Sequence, residues 1–216
     1  MTAMRARQYN KFAGSIDALG GAPNNAIAQR AISFALDKRN AGKMVTNMGG
    51  KKYEIAGISP LGSAFIFVRD KNINSIEKAA GKKFAVLGYD DAQKIMVQRV
   101  GAQAVISDVS NFVAKFNNGQ VDMVGAPAYA YKPLEIYKGL GNNGAMFNFP
   151  VLHVTSDFVI RPEKFPADKT KYQKMLRDGR MDMTKRGIYD ASMMSVLKRA
   201  RCSVDKANFE CSLSGE

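Results

Sequence analysis

The chain has 216 residues, of which 46% are hydrophobic, and this is enough apolar material to pack the core of one or two domains. This composition excludes a disordered chain. No apolar run reaches the length of about eighteen residues that a membrane-spanning helix needs. The formal net charge of +13 brings nucleic acid, anionic membranes and acidic ligands into consideration as partners.

The positive charge is distributed along the whole chain. Lysine and arginine occur singly or in pairs such as Lys51–Lys52, Lys82–Lys83 and Lys198–Arg199. Scattered charge of this kind favours a solvated surface over a nucleic-acid site, so no nucleic-acid partner is predicted. A basic protein that binds anionic lipid or other envelope components remains an alternative.

The pattern of apolar residues predicts an α/β fold. A helix is predicted over 29–39, followed by strands over 52–58 and 64–69 that are separated by a turn at 59–62. Strands and helices then alternate, which favours a parallel sheet with helices on its faces. The alternating elements are strands at 83–87, 104–106, 121–124, 145–149 and 153–160, and helices at 90–100, 109–117 and 133–138.

Two predicted strand ends carry the candidate ligand-binding residues, because parallel sheets bind ligands at the carboxyl ends of their strands. The first end provides Tyr89, Asp90 and Gln93, and the second provides Pro127, Tyr129 and Tyr131. Asp90 either caps the following helix or contacts the ligand. The two tyrosines would point to the same side of an extended segment, where they either wall a pocket or pack under a neighbouring helix.

No catalytic constellation is apparent, and we expect a protein that is not an enzyme. The single histidine, His153, lies in a predicted strand and is interpreted as structural. The glycine-rich segments lack the ending of a phosphate loop, and no serine or cysteine lies in a nucleophile-elbow motif. An enzyme on this fold would have to use Asp90, Asp91, Asp122 and His153.

The only cysteines, Cys202 and Cys211, lie close together near the end of the chain. We expect them to form a disulfide, which suits an oxidising compartment, although two unrelated thiols are the alternative. Two cysteines and one histidine do not make a metal site. The first residues of the chain lack the features of a secretory signal, so a signal peptide is expected in a precursor only.

Three segments resemble the periplasmic solute-binding proteins of TRAP-type transporters. Residues 76–86 resemble the helix and lysine-rich entry to a strand in that family, and 100–105 and 118–124 resemble two further motifs. Residues 2–9 and the cysteine-containing tail, together with this region, are similar to a less characterised group of solute-binding proteins of Gram-negative bacteria. This second resemblance covers nearly the whole chain.

The resemblance implies a two-lobed, type II-like periplasmic-binding-protein fold, incomplete at its N-terminus, which closes on a small ligand by hinge motion. It also implies a periplasmic location, a membrane transporter component as partner, and no cofactor. The expected segments are the remainder of a first lobe with a crossover, a second lobe, return strands, and C-terminal packing helices with the cysteine loop, at 1–60, 61–128, 129–166 and 167–216.

One departure from the TRAP pattern concerns the ligand. That family usually places an arginine in the strand after the lysine-rich entry, where it pairs with a ligand carboxylate, and Ala85 occupies this position here. Arg5, Arg7 or Arg69 would have to supply a guanidinium for an organic acid, and Arg5 is the preferred candidate. The resemblance also implies that a longer helical stretch is shortened near 165–168.

Overall fold

The computed structural model describes residues 7–165, 171, 174–175 and 210–212. These residues divide into two compact units. The first contains 7–63, 152–165, 171 and 174–175, and the second contains 64–151 and 210–212. No helix in the described part of the chain is long and apolar enough to cross a membrane.

The first unit begins with short helices that asparagine side chains cap. Asn10 and Asn24 each accept a hydrogen bond from the backbone N–H three residues later, which satisfies a donor that the first helical turn leaves open. The unit contains helices α1 (Lys11–Gly14) and α2 (Asn25–Ala35), 3₁₀ turns Ser15–Asp17, Lys38–Met44 and Pro162–Lys164, and strands β1 (Val45–Met48) and β7 (Leu152–Ile160). Helix α2 therefore begins four residues earlier than the sequence predicts.

A single strand, β2 (Lys51–Val68), runs from the first unit into the second. The turn predicted at 59–62 is wrong. Gly62 has a φ of +101°, which a glycine tolerates without strain, and Pro60 lacks only one backbone donor, so both residues fit within a continuous strand. The strand pairs with β1 at its start and with later strands at its end.

The second unit follows the predicted alternation of strands and helices. Its strands are β3 (Lys83–Leu87), β4 (Gln103–Ser107), β5 (Met123–Pro127), β6 (Ala145–Phe147) and β8 (Glu210–Ser212). Its helices are α3 (Ile76–Ala79), α4 (Asp91–Arg99), α5 (Phe112–Asn117) and α6 (Ile136–Leu140), and a 3₁₀ turn covers Ala128–Ala130. Helix α5 is shorter than predicted and begins after Val109, which is 60% exposed.

The strand order is β4-β3-β5-β2-β6-β8, with β1 and β7 also paired to β2. Strands β4, β3 and β5 are parallel, as the crossovers predict, whereas β2 runs antiparallel to β5 and β6. The prediction of a parallel sheet is therefore right for these three strands only. The α/β class is confirmed.

Strand β8 is the described part of the C-terminal region. Residues 210–212, which include Cys211, pair antiparallel with β6. Most of the predicted C-terminal helices, Arg5 and Cys202 lie outside the described residues. The disulfide between Cys202 and Cys211 therefore remains a prediction.

Candidate functional site

In the second unit, β3 and β5 lie side by side and end at the same edge of the sheet. Their parallel register pairs Phe84 with Met123 and Ala85 with Val124. Pro127 is the last residue of β5, and the segments that follow the two strands contain the other candidates except Arg5, so these segments leave the sheet at one edge. This is the edge at which open α/β sheets bind ligands.

Asp90 and Gln93 hold the turn between β3 and α4 in a fixed conformation. The buried Asp90 carboxylate accepts a hydrogen bond from the backbone N–H of Gln93 at 3.1 Å. The Gln93 amide oxygen in turn accepts the backbone N–H of Leu87, the last residue of β3, at 2.9 Å. The predicted capping role of Asp90 is therefore present in the structure.

The amide nitrogen of Gln93 points towards β5. A Cβ atom added to Gly125 would lie 3.4 Å from Nε2 of Gln93, so the glycine leaves just enough room for this side chain. The described residues provide no hydrogen-bond acceptor for Nε2. Gln93 is thus hydrogen-bonded to the end of β3 and places its amide donor beside Gly125 of β5.

The two tyrosines after β5 have different environments. Residues 128–130 form a 3₁₀ turn, so the extended geometry that would align Tyr129 with Tyr131 does not occur. The Tyr131 ring stacks on Phe67, with centroids 6.0 Å apart, and packs against the core. Tyr129 is 43% exposed, and partial burial raises the pKa of its phenol above the ordinary value. Tyr129 is accessible to a ligand, whereas Tyr131 has mainly a packing role.

Two of the three candidate arginines donate to the backbone. Arg69 donates to the carbonyl oxygen of Phe116 at 2.6 Å, at the end of α5. Arg7 donates to the carbonyl oxygens of Gly14 and Asp17 at 3.2 and 3.0 Å. Because both guanidinium groups are bound to backbone carbonyls, neither directly replaces the arginine that the TRAP resemblance predicts at position 85. Ala85 itself is only 2% exposed.

Within the second unit, Asp90 and Asp122, which an enzyme would have to use, lie at opposite ends of β3. Asp90 follows the carboxyl end of β3, whereas the Asp122 carboxylate accepts the N–H of Lys83 at the start of the same strand. The five-residue strand β3, which lies between Lys83 and the turn that contains Asp90, is about 13 Å long. His153 belongs to the first unit, and Asp91 pairs with Lys94 at 2.9 Å. In the described part of the chain, no group of acidic, histidine or cysteine side chains could hold a metal ion.

The first unit contains a buried polar cluster that the sequence analysis missed. The Asp17 carboxylate accepts two hydrogen bonds from Thr155, one from its hydroxyl at 2.7 Å and one from its backbone N–H at 3.3 Å. Asp157 is 1% exposed, and burial, followed by the nearby charge of Asp17, raises its pKa to about 7. The alternating pattern of β7 placed these residues on a strand, but no local signal indicated Asp17, which is 138 residues earlier.

His153 lies in the same unit with a structural hydrogen bond, as predicted. Its Nε2 is 3.2 Å from the Ser63 hydroxyl, and both side chains are buried. Burial lowers the pKa of the imidazole, and a hydrogen bond with the backbone at Ala22 partly opposes this. The imidazole is therefore held neutral in the interior.

A family model described as "Solute-binding protein AdeT 1/2" matches the chain in two segments, residues 1–170 and 166–216. The chain belongs to this solute-binding family. A curated relative, "Probable solute-binding protein AdeT1" of Acinetobacter baumannii, is 40% identical over 255 positions, which cover 100% of this chain and 83% of the relative. The predicted membership of a solute-binding family is confirmed.

Solved structures of TRAP periplasmic solute-binding proteins share the fold. A protein from Pseudomonas putida F1 with bound D-glucuronate has a TM-score of 0.72 at 13% identity and matches 91% of this chain and 63% of its own. A protein from Desulfovibrio salexigens with bound orotic acid has a TM-score of 0.67 at 16% identity, with coverages of 91% and 60%. This chain of the AdeT 1/2 family thus spans about three fifths of the length of these structures, and the predicted TRAP-like fold is confirmed.

The two segments of the AdeT 1/2 match meet at residues 166–170. The alignment with AdeT1 has 255 positions, whereas this chain has 216 residues, so this chain has no residue at 39 positions of the alignment. The segments meet where the sequence analysis places a shortened helical stretch. The size and place of that shortening stay a prediction.

Proposed function

We propose that this protein captures a small solute in the periplasm and passes it to a membrane transporter, without carrying out a chemical reaction. Membership of the AdeT 1/2 family supports solute binding. The TRAP-like fold supports a periplasmic receptor that works with a transporter component. The observation that carries the proposal is the edge where β3 and β5 end together, with Gln93 fixed between them and Tyr129 accessible beside them.

Organic acids are the first ligand class to test, because structural relatives hold D-glucuronate and orotic acid. In this chain, however, Ala85 stands where the resemblance to the TRAP family leads us to expect an arginine. We infer that a carboxylate or another polar group of the solute is bound by neutral donors, of which the Gln93 amide is one. Arg5 is a candidate for an additional, charged donor. Neutral donors bind a carboxylate less tightly than a bidentate guanidinium does.

Ligand identity is best sought in protein purified from the periplasm. Native mass spectrometry would show a discrete additional mass that is released on denaturation. A thermal-shift screen of sugar acids, aromatic carboxylates and uncharged sugars would follow, because a ligand that binds the native state raises the melting temperature. A native mass without ligand, together with no shift for any class, would contradict the proposal.

The place of binding is tested with Gln93→Glu. The new carboxylate keeps the oxygen that accepts the N–H of Leu87 but replaces the amide donor with a negative charge. We expect the affinity for an acidic solute to fall about tenfold or more, in line with the loss of a charge-assisted hydrogen bond. Gln98→Glu, at an exposed position of the same helix, is the matched control, and an equal effect of both variants would place the solute elsewhere.

Tyr129 provides a second, milder test. Tyr129→Phe removes a hydroxyl from a 43% exposed ring, and Tyr137→Phe makes the same change on a 40% exposed ring of α6. We expect only the first variant to weaken solute binding, by about threefold to tenfold for one neutral hydrogen bond. Unchanged affinity in Tyr129→Phe would remove this residue from the proposed site.

A further inference from the structure

The hairpin between β1 and β2 has a turn that depends on two glycines. Met48 pairs with Lys51, so Gly49 and Gly50 alone form the connection. Their φ angles are +54° and +69°, the left-handed values of a two-residue type I′ turn. This turn twists in the same sense as its strands and gives a well-defined ribbon.

The tip of this ribbon protrudes from the first unit. All six residues from Asn47 to Lys52 are exposed. Successive residues of a strand point to opposite faces, so exposure of every residue means that neither face of the tip is covered. The base is anchored, because the buried Asn10 amide donates to the Lys43 carbonyl oxygen at 2.8 Å and to the Thr46 hydroxyl at 3.2 Å.

The ribbon and the 3₁₀ turn before it form a strongly basic surface. Residues 38–53 contain five cationic side chains and no acidic one. We call these five residues the basic ribbon: Lys38, Arg39, Lys43, Lys51 and Lys52. All five are exposed, and Arg39 alone has an ion pair with a described acidic side chain, that of Asp37 at 2.9 Å.

The second unit uses its cations differently. Residues 64–151 contain ten lysines and arginines against seven acidic residues. Lys94 pairs with Asp91 of its own helix, and Lys138 pairs with Glu135, the residue before α6. Arg69 and Lys115 donate to backbone carbonyl oxygens. Because the acidic residues are interspersed among the cations, this unit has no stretch as long and as basic as residues 38–53.

Apolar side chains accompany the cations of the basic ribbon. Met48 at the tip is 37% exposed, and Phe34 at the end of α2 is 58% exposed. Asn40 donates to the carbonyl oxygen of Phe34 at 2.8 Å, which fixes the end of α2 beside the 3₁₀ turn that carries Lys38 and Arg39. Exposed apolar groups among lysines are typical of segments that bind at a lipid headgroup surface.

We propose that the basic ribbon binds anionic phospholipid headgroups and so holds the protein at a membrane surface, independently of the solute. We expect anionic lipid to be preferred over zwitterionic lipid, because each lysine or arginine that lies within a Debye length of a negatively charged membrane surface is attracted to it. Met48, at the protruding tip, enters the headgroup region. This interaction uses the first unit, whereas the proposed solute contacts at Gln93 and Tyr129 belong to the second.

Vesicle flotation with the full chain tests this binding. The vesicles contain either phosphatidylcholine alone or phosphatidylcholine with phosphatidylglycerol. We expect binding only where phosphatidylglycerol is present, with a steep decrease as salt rises, since salt screens exposed charges. Equal binding to both vesicle types, or binding that salt does not weaken, would overturn the proposal.

The location of the contact is tested with the double variant Lys51→Gln and Lys52→Gln. We expect a loss of affinity for phosphatidylglycerol vesicles of about tenfold or more, because two cations are removed at the protruding tip. The matched control is Lys82→Gln with Lys83→Gln, an exposed pair of the second unit that removes the same charge. Similar losses in both pairs would show an unspecific charge effect and overturn the assignment to the ribbon.

Two further measurements separate this proposal from its alternatives. Met48→Ser keeps every charge, and we expect it to weaken vesicle binding about twofold to fivefold, because an apolar thioether side chain no longer enters the headgroup region.

Binding of the unmodified chain to duplex DNA in place of vesicles would overturn the choice of lipid. The Lys51–Lys52 variant should keep its thermal shift with solute, so a failure here is distinguishable from a failure of solute binding.

Discussion

The two units have interiors of different chemical character. The second unit packs Phe67, Phe116 and other apolar side chains around its sheet, and among its described residues only Asp90 and Ser107 are polar and buried. The first unit has a smaller apolar cluster and buries eight polar residues in its described part: Asn10, Asp17, Asn40, Glu54, Ser63, His153, Thr155 and Asp157. The first unit therefore depends on the geometry and protonation of hydrogen-bonded groups, and the second on the volume of its side chains.

Removing a large side chain from the second unit should have the largest effect. Phe116 is completely buried, and we expect Phe116→Ala to lower the free energy of unfolding by about 3–5 kcal/mol in a urea titration. Phe158→Ala, at a position that is 43% exposed, should cost less than about 1 kcal/mol. Hydrogen exchange should increase mainly in residues 64–151, and a uniform increase in both units would contradict this comparison.

The first unit should instead lose stability as the pH rises through about 7. The pKa of Asp157 is raised from 3.8 to about 7 by burial and by Asp17, so the folded state binds a proton that the unfolded state has released. The stabilisation is complete below pH 3.8 and is lost as the pH rises through 7, a change of at most about 4 kcal/mol.

Asp157→Asn separates this effect from general titration. The amide has the shape of the neutral acid, so unfolding measured from pH 4 to pH 8 should have a flatter pH dependence than in the unmodified chain. Asp91→Asn is the control, because that side chain is 82% exposed. An unchanged slope in Asp157→Asn would show that another group causes the pH dependence.

A single hydroxyl group in the first unit should have the smallest effect. Thr155→Val removes the hydrogen bond to Asp17 and leaves a buried carboxylate with one partner fewer, which we expect to cost about 1–3 kcal/mol. Thr155→Ser keeps the hydroxyl and should recover most of this loss. Equal destabilisation by valine and serine would mean that the methyl group matters more than the hydrogen bond.

The elements of the second unit were predictable because their signals are local. The β3 strand has the predicted boundaries, and Asp90 caps α4 as its position after a strand suggests. The position of the Gln93 amide beside Gly125 of β5 was not predictable, because it depends on the parallel neighbour of β3 and on the absence of a side chain at Gly125.

Three features of the structure depart from the local pattern of the sequence. Pro60 and Gly62 are strong turn signals, but β2, which pairs with four other strands, runs continuously through both residues. Tyr129 and Tyr131 follow a strand, yet the 3₁₀ turn at Ala128–Ala130 separates their directions. The hydrogen bond between Asp17 and Thr155 spans almost the whole chain, and spacing within one segment cannot reveal it.

Strand β4 stands at the end of the strand order among the described strands, and its sequence contains no charged residue. An edge of this kind, with Ile106 56% exposed, invites a strand of another molecule to add to the sheet. Two features limit such self-association: β4 has only five residues, and the ammonium group of Lys115 donates to the Ile106 carbonyl oxygen at 2.7 Å. A strand that added to this edge would have to displace the Lys115 ammonium group from the Ile106 carbonyl oxygen, so the lysine of α5 opposes self-association at β4.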